Sequence, residues 1–370
     1  MYLSIGVRAV LNVEALNMVE SAGNVTRHRT VPLVVAKGPG RYVVRWVPAI
    51  SGEALAHRYQ VELVKVAKTH QGCRDRLDYW SEQGEFLKHF DLGFYEQIKG
   101  RVPLKQWEVD LINKWSNLKG NNQNKLSLAQ MADFEKHIVE NSVVEDVCGF
   151  LLTQGPVKRT SRVAFSFAVP TVDSVEAGAA QVDAQMQVRH APMASALWGS
   201  VSSKSGADPQ MPYYVQVASA VYGFTIGLDL AGVGVLSYGG GVVNDEACPP
   251  ESRRCLAVRA LESVLDLDFG AKRSRYAPHG VVEVAVAVLA SKYITVSPPT
   301  MKFDEFIRGT FERAAKLGAE KVVVWTRDEG VKNVVASIGG NITSLTKVEY
   351  VVSNAAVDFV KKLGEFVGCR

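Results

Sequence analysis

LSIGVRAVLNV, at residues 3–13, alternates between apolar and polar or small side chains along most of its length. Every odd-numbered position is apolar, whereas Ser4, Arg8 and Asn12 fall on the other face. A period of two is typical of a β-strand that buries one face against a core. The pattern therefore predicts a half-buried strand whose open face carries an arginine and an asparagine.

The elements beyond this strand predict an α+β fold. Ser51 is a helix N-cap candidate, and apolar residues recur every four positions after it. Further strands are predicted at 163–169, 213–230 and 281–289, with a helix across 256–264. The order is β-α-β-β-α-β, which is the ferredoxin-like arrangement also used by RNA-recognition modules.

Two stretches interrupt that order. In residues 71–150, tryptophans lie among charged residues, and we expect a mostly helical insertion there. Residues 171–212 have weak periodicity, many small residues and several prolines, which predicts a long loop. A loop of that length inside a compact domain is usually functional or disordered.

Composition favours a folded cytoplasmic protein without naming its partner. The 370 residues carry a net charge of +4, too weak a field to identify a polyanion by itself. Five scattered cysteines form no C-x-x-C pair, so we expect reduced thiols and neither a disulfide framework nor a zinc site. No secretory signal is apparent, and the apolar stretch 221–243 contains seven glycines and strand-like alternation, so we expect no membrane span.

The distribution of charge is more informative than its sum. Four stretches contain basic residues and no acidic ones: 21–52, 149–171, 184–207 and 269–282. In the predicted topology these stretches fall in loops or at strand starts, where several could border one groove. A phosphate backbone entering such a groove would release counterions and gain affinity without sequence preference.

Motifs for catalysis are sparse. His28 and His190 are flanked by arginines or lie beside one, and either could act as a general acid or base in RNA cleavage. The aromatic RNP signature of RNA-recognition modules is missing from the sequence. If the sheet binds RNA, we expect loops and backbone contacts rather than bases stacked on exposed aromatics.

Several short segments together resemble the DevR-like CRISPR-associated backbone proteins, in their archaeal type I-A form. The resemblance is carried by LNVEALN at 11–17, PAISGEALAH at 48–57, VKRTS at 157–161, SAVYGF at 219–224 and GAKRSR at 270–275. It implies a member of the repeat-associated RAMP superfamily. The implied fold is a modified ferredoxin-like (RRM-like) palm at 1–70 and 151–370, a helical insertion at 71–150 and a thumb-like loop at 171–212.

The resemblance also implies a function. Family members polymerise along CRISPR RNA as the non-catalytic backbone of a Cascade surveillance complex in antiviral defence. The implied partners are CRISPR RNA, target DNA through the guide, other copies of the chain and other Cascade subunits, with no cofactor, metal or membrane. The alternative is an RNA-processing endonuclease of the same superfamily. Cleaving relatives carry an aspartate near the first strand, and because 21–52 has no acid we expect no target cleavage.

The same resemblance and the basic stretches together name candidate RNA-binding residues. Met193 or Leu197 would be the wedge of the thumb. Ser51 would offer a helix N-terminus to a phosphate. The full candidate set is Asn17, Asn24, Arg27, His28, Arg29, Ser51, Lys158, Arg159, Arg189, His190, Lys272, Arg273 and Arg275.

Overall fold

The first strand forms where its alternation predicts it. In the computed structural model, which describes residues 1–115, 126–155, 157–189, 211–340 and 347–369, β1 is Tyr2–Glu14. Ile5, Val7 and Ala9 are fully buried on its odd face. The other strands are β2 (Met18–Ala22), β3 (Val25–His28), β4 (Thr30–Ala36), β5 (Tyr42–Pro48), β6 (Phe150–Leu151), β7 (Lys158–Arg159), β8 (Val163–Phe165), β9 (Val169–Pro170), β10 (Gln181–Arg189), β11 (Met211–Asp229), β12 (His279–Ala290), β13 (Lys321–Thr326) and β14 (Lys347–Val352).

The first helix begins at its predicted cap, because the Ser51 hydroxyl accepts a hydrogen bond from the backbone N–H of Ala54. The helices are α1 (Gly52–Thr69), α2 (Tyr79–Glu82), α3 (Leu92–Ile98), α4 (Gln106–Lys114), α5 (Leu128–Asn141), α6 (Val143–Cys148), α7 (Val172–Glu176), α8 (Pro250–Arg259), α9 (Glu262–Leu265), α10 (Phe303–Leu317), α11 (Glu329–Gly339) and α12 (Ala356–Val367). Among the described residues, no helix is both long and apolar enough to cross a bilayer.

The main sheet is centred on β1, which pairs antiparallel with both β11 and β12. The sheet path is β14-β13-β12-β1-β11-β3-β2, and β8, β9 and β10 also pair with β11. One face packs on α1, α8, α9 and α12 around Leu63, Leu256 and Phe359. The other face, at β12 and β13, packs on α10 and α11 around Phe306 and Val335.

This second layer overturns the predicted open face of β1. Arg8 is only 2% exposed, because the chain around α10 covers it. Its guanidinium lies 2.9 Å from Glu283 and 2.7 Å from Asp173, and it donates to the carbonyl of Met301. The strand is therefore buried on both faces from Leu3 to Ala9, with Arg8 paired to carboxylates, and only its end at Asn12 and Val13 is exposed.

The expectation of unpaired thiols is also wrong. Cys73 is bonded to Cys248, and Cys255 to Cys369, with Cα–Cα distances of 4.8 and 5.5 Å. The partners lie 175 and 114 residues apart, and sequence spacing does not report such contacts. Cys148 is buried and free.

The predicted loop at 171–212 is wrong over part of its length. Helix α7 and strand β10 occupy 172–176 and 181–189, and β10 pairs antiparallel with the start of β11. Val182, Ala184 and Met186 do alternate with polar residues, but most of this strand is exposed, so its apolar signal is weak.

Candidate nucleic-acid interface

A groove of about 700 Å³ opens between β3, the β4–β5 hairpin, β10 and β11. Arg27 and Arg29 line it together with Trp46 and Gln216. Strand β3 reaches this position by pairing parallel with β11, with Val25 opposite Tyr214. The Gln216 side-chain oxygen accepts a hydrogen bond from the backbone N–H of His28 at 2.9 Å, which holds β3 against β11.

Arg29 is held in a defined orientation at one wall. Its Nε donates to the Asn17 side-chain oxygen at 2.7 Å, and the same oxygen accepts the backbone N–H of Ser51. Its guanidinium also lies 5.8 Å from the ring centre of Phe167. Arg29 is therefore preorganised, whereas Arg27 is exposed to solvent at the groove.

A second basic group lies beside the same part of the sheet. The backbone N–H of Ala271 donates to the carbonyl of Leu16 at 2.8 Å, which docks the loop after α9 on the β1–β2 connection. Arg275 reaches the Tyr213 hydroxyl at the start of β11, at 2.5 Å. Lys272 is exposed, whereas Arg273 forms an ion pair with Asp268 at 2.7 Å.

The start of β11 lies between the two basic groups, which are on opposite faces of this strand, because Tyr213 packs with Val215 and Val217 whereas Gln216 faces the groove. Asn24 is exposed at the β2–β3 turn, and its carbonyl accepts the backbone N–H of Tyr214. Tyr213, the preceding residue, contacts Arg275. The polar and basic residues near this end of the sheet come from parts of the chain that are far apart in sequence: Asn17, Asn24, Arg27, Arg29, Lys272 and Arg275.

His28 lines the groove but is almost wholly buried, which argues against its predicted role as an RNA contact. The residue is 3% exposed. Its Nε2 lies 2.7 Å from Glu14 and its Nδ1 lies 2.8 Å from the carbonyl of Arg29. Glu14 also accepts the Tyr222 hydroxyl at 2.6 Å. Both ring nitrogens face oxygen acceptors, so His28 pins β3 to the sheet and is not placed to take a proton from a substrate.

Arg159 is likewise a structural residue, and its predicted clamping role is wrong. It is 2% exposed and forms ion pairs with Asp146 and, at 2.9 Å, with Glu135. Arg253 forms an ion pair with the other carboxylate oxygen of Asp146 at 3.1 Å and a second ion pair with Asp245. A buried arginine needs such partners because an unpaired charge in the interior is costly.

Lys158, the residue before it, is exposed on β7. Its backbone N–H donates to the Tyr238 hydroxyl, and Tyr238 packs against the core that helices α3–α5 form with the β6–β7 region. Lys158 therefore lies beside this helical core and is not among the described residues that line the groove.

Ser51 is 4% exposed, and its hydroxyl is occupied by capping α1. The backbone of Phe165 and Ser166 closes over the helix start, where a Cβ added at Gly52 would meet the Phe165 carbonyl at 2.4 Å. The predicted open phosphate site at this helix N-terminus is therefore wrong, because the site is filled by the protein itself.

The remaining candidates are at the end of β10. Arg189 is the last residue of that strand and pairs with Met211. His190, Met193 and Leu197 lie outside the described residues.

Sequence reasoning missed the aromatic side of the groove. Trp46 is 71% exposed and lines the groove beside Arg27 and Arg29. The available signal was the alternation of Tyr42, Val44 and Trp46, which places all three on one face of a strand. Within the described ranges, no group of three or more acidic, histidine or cysteine side chains could hold a metal ion.

The sequence is similar to those of known proteins over most of its length. The model of the family described as "CRISPR-associated negative auto-regulator DevR/Csa2" matches residues 5–310. The Saccharolobus solfataricus protein "CRISPR-associated aCascade subunit Cas7/Csa2 2" is 32% identical over 95% of this chain and 98% of its own length. A Methanocaldococcus jannaschii "CRISPR-associated protein Cas7/Cst2/DevR" is 28% identical over 86% of this chain and 91% of its own.

A solved structure supports the fold. A chain of a "CRISPR RNA-guided surveillance complex, pre-nicking" superposes with a TM-score of 0.53, covering 99% of this chain and all of that chain at 11% identity. At this identity the likeness concerns the fold alone. The family matched over most of the sequence confirms the resemblance found in the short motifs. The chain belongs to the DevR/Csa2 family of CRISPR-associated proteins.

Proposed function

We propose that this protein is a non-catalytic RNA-binding backbone subunit that polymerises along CRISPR RNA in a Cascade surveillance complex. The observation that carries the proposal is the groove beside the start of β11, which Arg27 and Arg29 line, together with the loop that bears Lys272 and Arg275 and reaches the same end of that strand. Family membership supports the biological setting, since a relative bears the name of a Cascade subunit.

The architecture proposed is an RRM-like palm. Strands β12, β1, β11 and β8 are adjacent and antiparallel, α1 lies between β1 and β8 in the chain, and α8 lies between β11 and β12. This is the connectivity of a ferredoxin-like unit. We assign helices within 71–150 to an insertion, and β10 with the start of β11 to the base of a thumb that spans 171–212.

The proposed binding mode reads the RNA backbone rather than its sequence. Exposed arginine and lysine side chains would contact phosphates and release counterions, and Arg29 would do so from a fixed position. Bases left open would pair with target DNA, so that base pairing supplies sequence recognition. Other copies of this chain and other Cascade subunits would be its protein partners, in the cytoplasm and without a cofactor.

The alternative, an RNA-processing endonuclease, is less well supported. His28 is buried against Glu14, which disfavours it as an acid–base group for RNA cleavage. The absence of acidic residues from 21–52 also disfavours metal-assisted cleavage at that loop. His190, the other candidate, lies outside the described residues.

Charge reversal tests the groove. Arg27→Glu with Lys272→Glu should weaken binding to single-stranded RNAs of different sequences by a similar factor, because both side chains face phosphates rather than bases. The dependence of log affinity on log salt should become shallower by about one to two units, as for the loss of roughly two phosphate contacts. Fluorescence anisotropy over a salt series measures both quantities.

Lys292→Glu with Lys316→Glu is the matched control, since it makes the same change in net charge at exposed positions away from the groove. This control should retain most of the affinity and slope. Equal losses in the two double variants would mean that net charge, and not this groove, governs binding.

A further inference from the structure

The β4–β5 hairpin presents an apolar face to solvent. Pairing places Pro32 opposite Trp46, Val34 opposite Val44, and Ala36 opposite Tyr42. The larger side chains of this face are mostly exposed: Val34 at 61%, Val44 at 55%, Tyr42 at 70% and Trp46 at 71%. We call this set the hairpin face.

Folding does not require the hairpin face to be apolar. The opposite face of the same hairpin holds Val35 and Val47, which are 1% and 3% exposed, and so supplies the contacts with the rest of the protein. A contiguous exposed apolar patch on a folded chain commonly marks a surface that binds something.

The surroundings of the hairpin face indicate what it binds. Trp46 lines the groove that also contains Arg27 and Arg29. The hairpin and the segment before it contain no acidic residue from 21 to 52. Asp183, on neighbouring β10, alternates with the groove-lining Val182 and so lies on the other face of its strand. At the hairpin turn, the carboxylate of Glu176 is paired with Lys37 and Lys302. An exposed aromatic surface bordered by the cations of the groove fits a ligand with both flat rings and negative charge, which single-stranded nucleic acid provides.

We infer that Trp46 stacks on a base of the single-stranded RNA whose phosphates contact Arg27 and Arg29, with Tyr42 as a second stacking position along the same face. The inference rests on the proposed function and adds the residue that would hold a base. Stacking on an aromatic ring tolerates any base, since every base has a π-face. It is therefore compatible with backbone recognition that is independent of sequence.

The test compares two probes and three variants at aromatic positions. The probes are a fluorescein-labelled oligouridine and an abasic oligoribonucleotide of the same length, which keeps the phosphates and lacks the bases. Trp46→Ala should bind the oligouridine about tenfold more weakly than the unchanged protein, with the abasic strand bound equally by both. Tyr293→Ala is the matched control, because Tyr293 is 63% exposed beside Tyr2 and Ser4, at the opposite end of β1 from the groove.

The outcomes separate this inference from the proposed function. Equal weakening of both probes by Trp46→Ala would overturn stacking, as would unchanged affinity for the oligouridine. Loss of self-association without a change in RNA affinity would also overturn it and assign the hairpin face to a second copy of the chain. The charge-reversed Arg27 and Lys272 variant should weaken both probes, and if it weakens neither, the phosphate groove itself fails. Trp46→Phe keeps a stacking ring and should retain most of the affinity, which guards against a folding defect.

Discussion

Arg159 and Lys158 are neighbours in sequence but lie in opposite environments. Lys158 is exposed, whereas Arg159 is buried and shares carboxylates with Arg253. The reason is local, because successive residues of a strand point to opposite sides. At the scale of single residues, two adjacent basic residues can therefore have different roles, one charged side chain on the surface and the other in the core.

Arg159→Ala should destabilise the fold by about 3–5 kcal/mol, because it leaves Asp146 and Glu135 buried with one fewer cation. Chemical denaturation measures this loss. Lys158→Ala is the matched control and should change stability by no more than about 0.5 kcal/mol. The folded Arg159→Ala protein should bind RNA as tightly as the unchanged protein. If Arg159→Ala is as stable as the unchanged protein but binds RNA more weakly, Arg159 contacts RNA and the structural role assigned to it is wrong.

Residue type and charge pattern were enough to nominate Arg27, Arg29, Lys272 and Arg275, which lie near the same end of the sheet and stay candidates for RNA binding. They were not enough to show that His28 and Arg159 are buried and so are poor candidates for RNA contacts. Their partners Glu14 and Glu135 are distant in sequence or lie in another element, and only the fold brings each pair together. Burial of a polar residue depends on such a partner, and a single sequence does not name it.

Strands with strong alternation were the most predictable elements. β1 and β12 were predicted within a few residues, because large apolar side chains at regular spacing leave few other structures. β10 was missed because it is an exposed strand with weak apolar alternation. The two disulfides were missed for a different reason, since their halves are held together by packing between helices and loops rather than by local sequence.

Ion pairs connect the elements around α8. Asp245 accepts from Arg76, which follows α1, and from Arg253 on α8. Burial alone would raise the pKa of Asp245, but these arginines and the Cys248 backbone N–H lower it from 3.8 to about 2. A carboxyl group with a lowered pKa stabilises the fold above its unfolded pKa, and this contribution is lost as the pH falls through its folded pKa.

The free energy of unfolding should therefore fall as the pH drops from 3.8 towards 2, by about 2 kcal/mol through Asp245. Asp245→Asn should lower stability at neutral pH and make the acid dependence shallower over that window. Guanidinium denaturation across a pH series measures both effects. An unchanged acid slope in the variant would show that other carboxylates dominate the transition.

On the scale of the whole molecule, the sheet has a buried centre and one end that carries polar and basic residues. Helical layers pack on both faces of the sheet and bury its centre. The RNA candidates gather at the end of β1 where β2, β3 and the loop at 270–276 meet, and β10 extends the start of β11 on that side. In the proposed function, basic residues at one end of this sheet would let copies of the chain repeat along a backbone of regular charge.

Light scattering after size-exclusion chromatography, without RNA and with a spacer-length RNA, tests this assembly most directly. The RNA is recovered afterwards and its length is checked on a denaturing gel. We predict that the mass rises with RNA in steps of one 40.4 kDa subunit plus the RNA, and that the RNA stays intact. A monomer that leaves the RNA unbound, or that shortens it, would contradict the backbone function.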